Sequence, residues 1–423
     1  MTGEQPAVVP PRLGGNRSFT ALWWGQGVSQ VGSQISLVAL PLVAVVTLGS
    51  GPFEVAAVAA AEYLPSLLFG LVAGVLVDTM DQRLVMIVTD LLRAAVLLAV
   101  PLAHLADAVS VPLLCAVAFL LGLFTLFFDL SYQSALPRLV EREQLRAANG
   151  RLETTRSAST AAGPPAGSAL VQTFGAPLAV IADAVSYLVS SLLILRVRLR
   201  PRTRSVAPRT VNGLRGDLAA GLRQVRRDPR QRAVIAVAAT SNAATVSVVS
   251  LLPLWLINEL GLPAWSLGLV LSCGAVGGVV AGFGVARLPQ EISPKRAIGV
   301  GLVVAGGASV LVPLATGPAA VRLAMVCLAE CVGMACLTVI AVTCMSWRQS
   351  VTPEHLLAKV ISVARTVNFG VLPLTTLAGG ALASAFGIRP VLFLAAALVV
   401  AAPLWMVGVP DDERLRDEKE IVT

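Results

Sequence analysis

Residues 196–232 read RVRLRPRTRSVAPRTVNGLRGDLAAGLRQVRRDPRQR. Arginines stand at 196, 198, 200, 202, 204, 209, 215, 223, 226, 227, 230 and 232, against Asp217 and Asp228. Long apolar stretches flank this run on both sides. One reading is a nucleic-acid arm. The other is a linker held at anionic headgroups, each nearby arginine contributing about 1 kcal/mol. Its place between two apolar blocks favours the membrane surface, and no nucleic-acid partner is expected. The run also marks a boundary between two halves.

Composition supports that choice. The chain has 423 residues, 56% hydrophobic and 13% charged, with a mean hydropathy of +0.79. Soluble domains carry about 25% charged residues, so so few charges cannot cover a body this size in water. The bilayer is its solvent. Six cysteines (115, 273, 327, 331, 336 and 344) lie in apolar runs without a CxxC or CxxH pattern, and the histidines are His104 and His355. That excludes a zinc site or a disulfide framework, and no metal or cofactor is expected. GxSxG, HExxH and GxxxxGK[ST] are absent, so an enzyme is not expected. The polar residues 1–17 carry Pro6, Pro10 and Pro11 and lead into an apolar stretch without a small-residue cleavage site, which predicts a first span rather than a removable signal.

A span needs about twenty apolar residues. Twelve runs qualify: 19–48, 53–77, 84–104, 110–133, 149–172 and 176–196, then 233–257, 263–286, 297–316, 319–345, 357–385 and 388–409. The expected organisation is a tail (1–17), a six-helix bundle (18–196), the basic linker (197–232), a second six-helix bundle (233–409) and a tail (410–423). Connections alternate between basic ones (78–83, 134–148, 197–232, 287–296, 346–356) and short ones (49–52, 105–109, 173–175, 258–262, 317–318, 386–387). The short set lacks Lys and Arg, apart from Arg322 and Arg389 just inside neighbouring spans. Lys/Arg bias places the basic set, and both termini, in the cytoplasm of a multi-pass protein of the cell (inner) membrane.

The halves also repeat. Val140, Glu143, Leu145 and Ala147 recur as Val351, Glu354, Leu356 and Ala358. Gly167, Ala169 and Leu170 recur as Gly379, Ala381 and Leu382. Gly70, Val72, Ala73, Gly74 and Val77 recur as Gly278, Val280, Ala281, Gly282 and Val285. The offsets agree with half the chain length. Two homologous bundles related by an axis along the membrane normal are one architecture of secondary transporters. The fold class expected is therefore an all-α membrane protein of twelve transmembrane helices, in two six-helix bundles related by pseudo-two-fold symmetry.

Particular motifs sharpen this. Gly74-Val-Leu-Val-Asp78-Thr-Met-Asp-Gln-Arg83 resembles the loop signature of the major facilitator superfamily, G-x-L-x-D-R-x-x-R-R. The resemblance implies a gate latch in which Gly74 packs closely, Asp78 meets a helix N-terminus and Arg83 tethers it. This chain departs from it at Thr79 and Gln82. The stretch from Gly122 through Asp129, Pro137, Arg138 and Val140 to Asn149 resembles the branch holding macrolide, multidrug and siderophore exporters. So do the segments Leu22–Gly32 and Asp183–Leu188. Related exporters often carry an Asp after the first-span Gly, where this chain has Ser33. Gly163-Pro164-Pro-Ala-Gly167 resembles the superfamily's antiporter signature and implies a bend; a Pro-kinked structural helix is the plainer reading.

Ionisable residues inside spans are candidates by default, because burying them is costly. These are Glu62, Asp90, Arg93, Asp129, Asp183 and Glu330. Glu62 and Glu330 fall near mid-depth at about 1.5 Å per residue. In the fold that the resemblance implies, the third and sixth spans are peripheral, which makes Asp90, Arg93 and Asp183 structural. The same fold lines its cavity with the first, fourth, seventh and tenth spans. That promotes Gln26, Ser29, Gln30, Ser33 and Gln34, which form a polar stripe, together with Asn242 and Glu330. Asp129 is placed at the gate, and Glu330 is the first choice for a proton-exchanging carboxylate. The expected function is proton-coupled export of small amphipathic compounds by alternating access. Protons and membrane lipids are the other partners, and a monomer suffices. A nutrient importer and a non-transporting membrane sensor are the alternatives.

Overall fold

A computed structural model describes residues 16–141, 144–200, 211–285 and 293–409. The two tails, bar residues 16 and 17, and the 201–210 part of the linker lie outside the described residues. The described chain is helical. The first half holds α1 (Arg17–Leu42), α2 (Pro52–Thr79), α3 (Gln82–Leu105), α4 (Val111–Leu139), α5 (Leu145–Phe174) and α6 (Ala176–Ile194). A further helix, α7 (Val211–Arg227), precedes the second half: α8 (Pro229–Leu254), α9 (Trp265–Val285), α10 (Pro294–Ser309), α11 (Ala319–Val351), α12 (Glu354–Phe386) and α13 (Ile388–Ala401).

Twelve of these are the membrane helices of the two-bundle fold. Among the described residues, ten have both the length and the hydropathy to cross a bilayer unaided. The exceptions have physical reasons. Polar and charged residues fill the first half of α5, with Glu153 and Arg156 ion-paired on its surface. Helix α10 is only 16 residues long, and turns through Leu314 extend it. Helices α4 and α11 run to Leu139 and Val351, past the expected 133 and 345. Their added turns carry Arg138 and Arg348.

Local chemistry sets the helix ends. Asn16 caps α1 by accepting from the Phe19 N–H at 3.0 Å, and its amide donates to the Leu139 carbonyl at 2.7 Å. Asp81 caps α3, Asp228 caps α8 and Ser293 caps α10 through the same side-chain-to-N–H bond. Pro41 in α1 and Pro253 in α8 are each followed by a π-helical turn, Val43–Thr47 and Trp255–Glu259. Gly49 and Gly261 have positive φ, as do Gly175 and Gly387, a region in which side chains strain the backbone. Asn16 with Asp228, Pro41 with Pro253, Gly49 with Gly261, Asp81 with Ser293 and Gly175 with Gly387 share one offset of 212 residues. The duplication is thus written in caps and kinks as well as in residue identity.

Within the first half, α1 packs on α5 and α6, α3 on α4 and α6, and α2 on α4. The second half repeats this arrangement: α8 packs on α12 and α13, α10 on α11 and α13, and α9 on α11. The halves meet along two seams, α2 against α12 and α5 against α9, which the repeat interchanges. Val280 and Phe283 of α9 and Leu192 of α6 are each more than 60% exposed within helices long and apolar enough to span a bilayer.

The linker contains more structure than expected. Val225 of α7 is buried with Val360, Val363 and Ala364 of α12 and Ile235 of α8. Gly221 sits against the Lys359 carbonyl. Helix α7 therefore docks on the second half.

Candidate functional site

Both seams close at the end that carries the short connections. Phe53 N–H donates to Ser384 Oγ at 3.1 Å, and a Cβ at Gly380 would stand 2.3 Å from Ala56 Cβ. On the other seam, Gly268 of α9 packs on Pro164 and Ser168 of α5. At the basic end the described bonds close within one half. Arg83 donates to the Ile194 and Leu195 carbonyls, Arg138 bonds Gln82 and the Arg200 carbonyl, and Gln231 donates to Thr352 Oγ1 at 2.7 Å.

Below the closed end lies a cavity of ≈ 230 Å³ between the halves. Apolar residues make up most of its wall, among them Leu37, Val58, Leu121 and Leu271. Its polar groups are Ser33, Gln34 and Ser36 of α1, Glu62 and Tyr63 of α2, Thr125 of α4, Asp183 and Tyr187 of α6, and Ser250 of α8. Glu62 is exposed towards this space. Among the lining residues there is no Lys or Arg. Such a wall receives an apolar body and offers carboxylate and phenol oxygens to one polar or cationic point.

The sequence-expected residues divide among several places. Ser33, Gln34 and Glu62 line the central cavity. Gln26 and Gln30 continue the α1 stripe towards the basic end, joined by a side-chain bond of 3.4 Å. Asn242 lines a separate cavity of ≈ 440 Å³ with Ser241, Thr338, Arg348 and Asn368. Glu330 lies inside the second half, in a ≈ 40 Å³ cavity with Thr245 and Met334, its Oε2 close to Gly274 of α9. Asp129 is exposed on α4, within electrostatic reach of Arg93, Arg156 and, from the other half, Arg365.

The gate and hinge residues also separate. Arg83 caps the last carbonyls of α6, where a cation favours the helix dipole. The side chain of Asp78 lies outside the described residues. A Cβ at Gly74 would meet nothing within 4 Å, so close packing does not explain this glycine in the present state. Gly163 and Gly167 do pack closely, against Gln34 and Ile35 of α1. Pro164, one position on, turns its carbonyl to α9, and α5 remains one helix through both prolines.

The family profile of the Major Facilitator Superfamily matches residues 22–373. The chain belongs to the major facilitator superfamily. It is a multi-pass membrane transporter, not an enzyme. The chain is similar to the multidrug efflux pump Tap of Mycolicibacterium fortuitum, at 26% identity over 396 residues, 92% of this chain and 93% of that protein. It is 26% identical over 205 residues to macrolide efflux protein A of Streptococcus pyogenes, covering 48% of this chain and 50% of the other. Among solved structures, nucleoside transporter NupG superposes with a TM-score of 0.75 at 11% identity, covering 92% and 98% of the two chains. A bacterial homologue of the iron transporter ferroportin, in an inward-facing state, gives 0.71 at 19%, again covering 92% and 98%. These likenesses establish the fold.

Against that fold, this facilitator has one feature that sequence reasoning put aside. Asp183 and Tyr187, assigned to a peripheral helix, reach the central cavity, and Arg93 stands behind them. The Arg93 guanidinium pairs with Asp90 and lies 4.3 Å from the ring centroids of both Phe128 and Tyr187. Ser36 Oγ donates to Asp183 Oδ2 at 2.5 Å, and the Ser33 and Tyr187 hydroxyls stand 2.9 Å apart. The available signal was spacing: Asp183, Ser186 and Tyr187 fall on one helical face, as do Ser29, Ser33 and Ser36.

Proposed function

We propose that this transporter exports lipophilic, weakly cationic small molecules from the cytoplasm in exchange for protons. The observation that carries this reading is the central cavity, apolar in its body, with Glu62 and Asp183 among its lining residues and no cation there. An apolar wall with few polar groups suits an amphipathic ligand, and the acidic lining favours a positive over a negative one. The similarity to Tap and to macrolide efflux protein A supports the outward direction. The closed short-connection end supports loading from the basic end, which Lys/Arg bias assigns to the cytoplasm.

In this reading the halves rock about the two seams, and Gln26, Gln30, Ser33, Gln34 and Asn242 provide polar footholds along the path. Glu62 is the counter-charge for the ligand. Glu330, favoured by depth alone, sits in a side cavity too small for substrate, which supports a role in the second half's own motion. Gly74, Asp78, Arg83 and Asp129 belong to the basic-end gate, and Gly163, Pro164 and Gly167 to the bending seam.

The test uses everted vesicles with ethidium as the probe. Vesicles holding the wild-type chain should accumulate ethidium on acidification of their lumen, and a protonophore should abolish this. Glu62→Gln should weaken ethidium binding, and Glu330→Gln should slow transport with binding kept. Net movement in the opposite direction would replace the exporter by an importer. Accumulation insensitive to the pH gradient would remove the proton.

A further inference from the structure

We propose that Asp183 is the carboxylate that exchanges the coupling proton, with the fixed Asp90–Arg93 pair behind it. This rests on the proton-coupled reading above and assigns its residue.

Asp183 is 1% exposed, Arg93 4% and Asp90 0%. Asp90 and Arg93 form one ion pair at the α3–α6 contact. That leaves Asp183 without a cation of its own. The carboxylate neighbours only hydroxyl donors, Ser36 Oγ at 2.5 Å on Oδ2 and Ser186 Oγ at 3.1 Å on Oδ1. An uncompensated ion this deep is strongly disfavoured. One proton on Asp183 relieves the excess.

The surroundings suit both protonation forms. A serine hydroxyl donates to a carboxylate and equally accepts from a carboxylic acid. The same cradle therefore holds Asp183 charged or neutral without moving. Gly32 keeps it tight: a Cβ there would stand 2.5 Å from Asp183 Oδ1. Arg93, by contrast, is pinned between the Phe128 and Tyr187 rings. Among the described residues its Nε and Asp90 Oδ2 lack hydrogen-bond partners.

Access separates the two acids. Asp183 lines the central cavity with Tyr187, Glu62 and Tyr63, and Asp90 does not. The groups facing Asp183 are Asp90 and Arg93 from α3 and Tyr187 from its own helix. Helix α1 presents serines, and α5 carries its charges only up to residue 156. Asp129 of α4 connects through Arg93, and Glu62 and Tyr63 of α2 lie across the cavity. When a cationic ligand enters, its charge replaces the proton's. The Oδ–H bond breaks, the proton passes to cavity water, and the electron pair stays on Asp183 between Arg93 and the ligand. Reversal at the other face reloads the proton and expels the cation, one charge for one.

The experiment uses the full chain, purified and reconstituted, with ethidium as the probe. In a weakly buffered solution the wild type should release a proton on binding ethidium, and Asp183→Asn should bind it more weakly and without release. In proteoliposomes Asp183→Asn should lose gradient-driven transport and its pH profile, with ethidium counterflow remaining at raised ethidium. Asp183→Glu should restore a gradient response. Should Asp183→Asn fail to fold, Ser36→Ala keeps the carboxylate and removes one donor to its charged form. The midpoint of the transport pH profile should then move to higher pH, and an unmoved midpoint overturns the proposal. Proton release by folded Asp183→Asn at the wild-type level also overturns it, while leaving proton-coupled export standing. No release by the wild type overturns both.

Discussion

The Phe53 N–H donates to Ser384 Oγ at 3.1 Å across 331 residues of sequence, joining the start of α2 to the last turn of α12. One turn earlier on α12, Gly380 touches Ala56, Pro52 and Phe53. Small side chains and backbone make this seam, and no ion pair is described in it.

Gly380→Leu should therefore hold the short-connection end apart. A Cβ 2.3 Å from Ala56 Cβ leaves no room without displacing α2. Transport should fall at least about tenfold, as small misplacements in such machinery do, with membrane insertion intact. A cysteine introduced at Ala56 should become more reactive to an impermeant maleimide from the short-connection side. Unchanged reactivity and transport would place the closure elsewhere.

Tyr187→Phe and Tyr187→Leu separate the phenol from the ring. The phenylalanine keeps the face over Arg93 and loses the contact with Ser33, a change of about 1 kcal/mol. The leucine loses the ring face as well, worth a further 0.5–2 kcal/mol or so when desolvated. Thermal unfolding followed by fluorescence-detected gel filtration should rank wild type, then phenylalanine, then leucine. Equal melting of the two variants would mean that the ring does not hold Arg93.

What the sequence disclosed, and what it withheld, follows from the range of each signal. Spans and halves were legible because hydropathy over twenty residues and a repeat over half the chain are summed properties, insensitive to single contacts. The Gly49/Gly261 and Gly175/Gly387 pairs were present in the sequence too, but their shared offset gains meaning only once positive φ is seen. Asp183 was misplaced because a peripheral helix was assumed to show the cavity nothing. The α1–α6 packing, allowed by Gly32, brings one face of α6 to the cavity. Glu330 shows the converse. Depth along a helix does not reveal azimuth, and its side chain lies among second-half residues.

Helix α7 was invisible for another reason. Its arginines dominate any hydropathy reading, while one narrow face with Val225 buries against α12. Val225→Asp should undock it, since burying Val is worth about 1.5–3 kcal/mol and an unpaired carboxylate reverses the sign. The expected result is faster trypsin cleavage after Arg226 and Arg227 and reduced transport, with the twelve membrane helices still inserted. Wild-type proteolysis would show that α7 needs no apolar anchor.

Topology has its own check. Reporter fusions at residues 215 and 420 should be active only in the cytoplasm, and one at residue 107 only outside. An external signal at 215 or 420, or an internal one at 107, overturns the orientation.

The docking of α7 divides the basic segment between the moving parts. Residues 196–200 are fastened to the first half, through Arg138 on the Arg200 carbonyl and Ser18 on the Arg198 N–H, whereas residues from 211 onward ride on α12. Were anionic headgroups to hold both clusters, each half would drag its own lipids and those clouds would part and merge with every turnover. In that case phosphatidylserine or cardiolipin content should act as a brake on rate, independent of drug affinity, and a rate unchanged by such lipids would show that the clusters carry no such load.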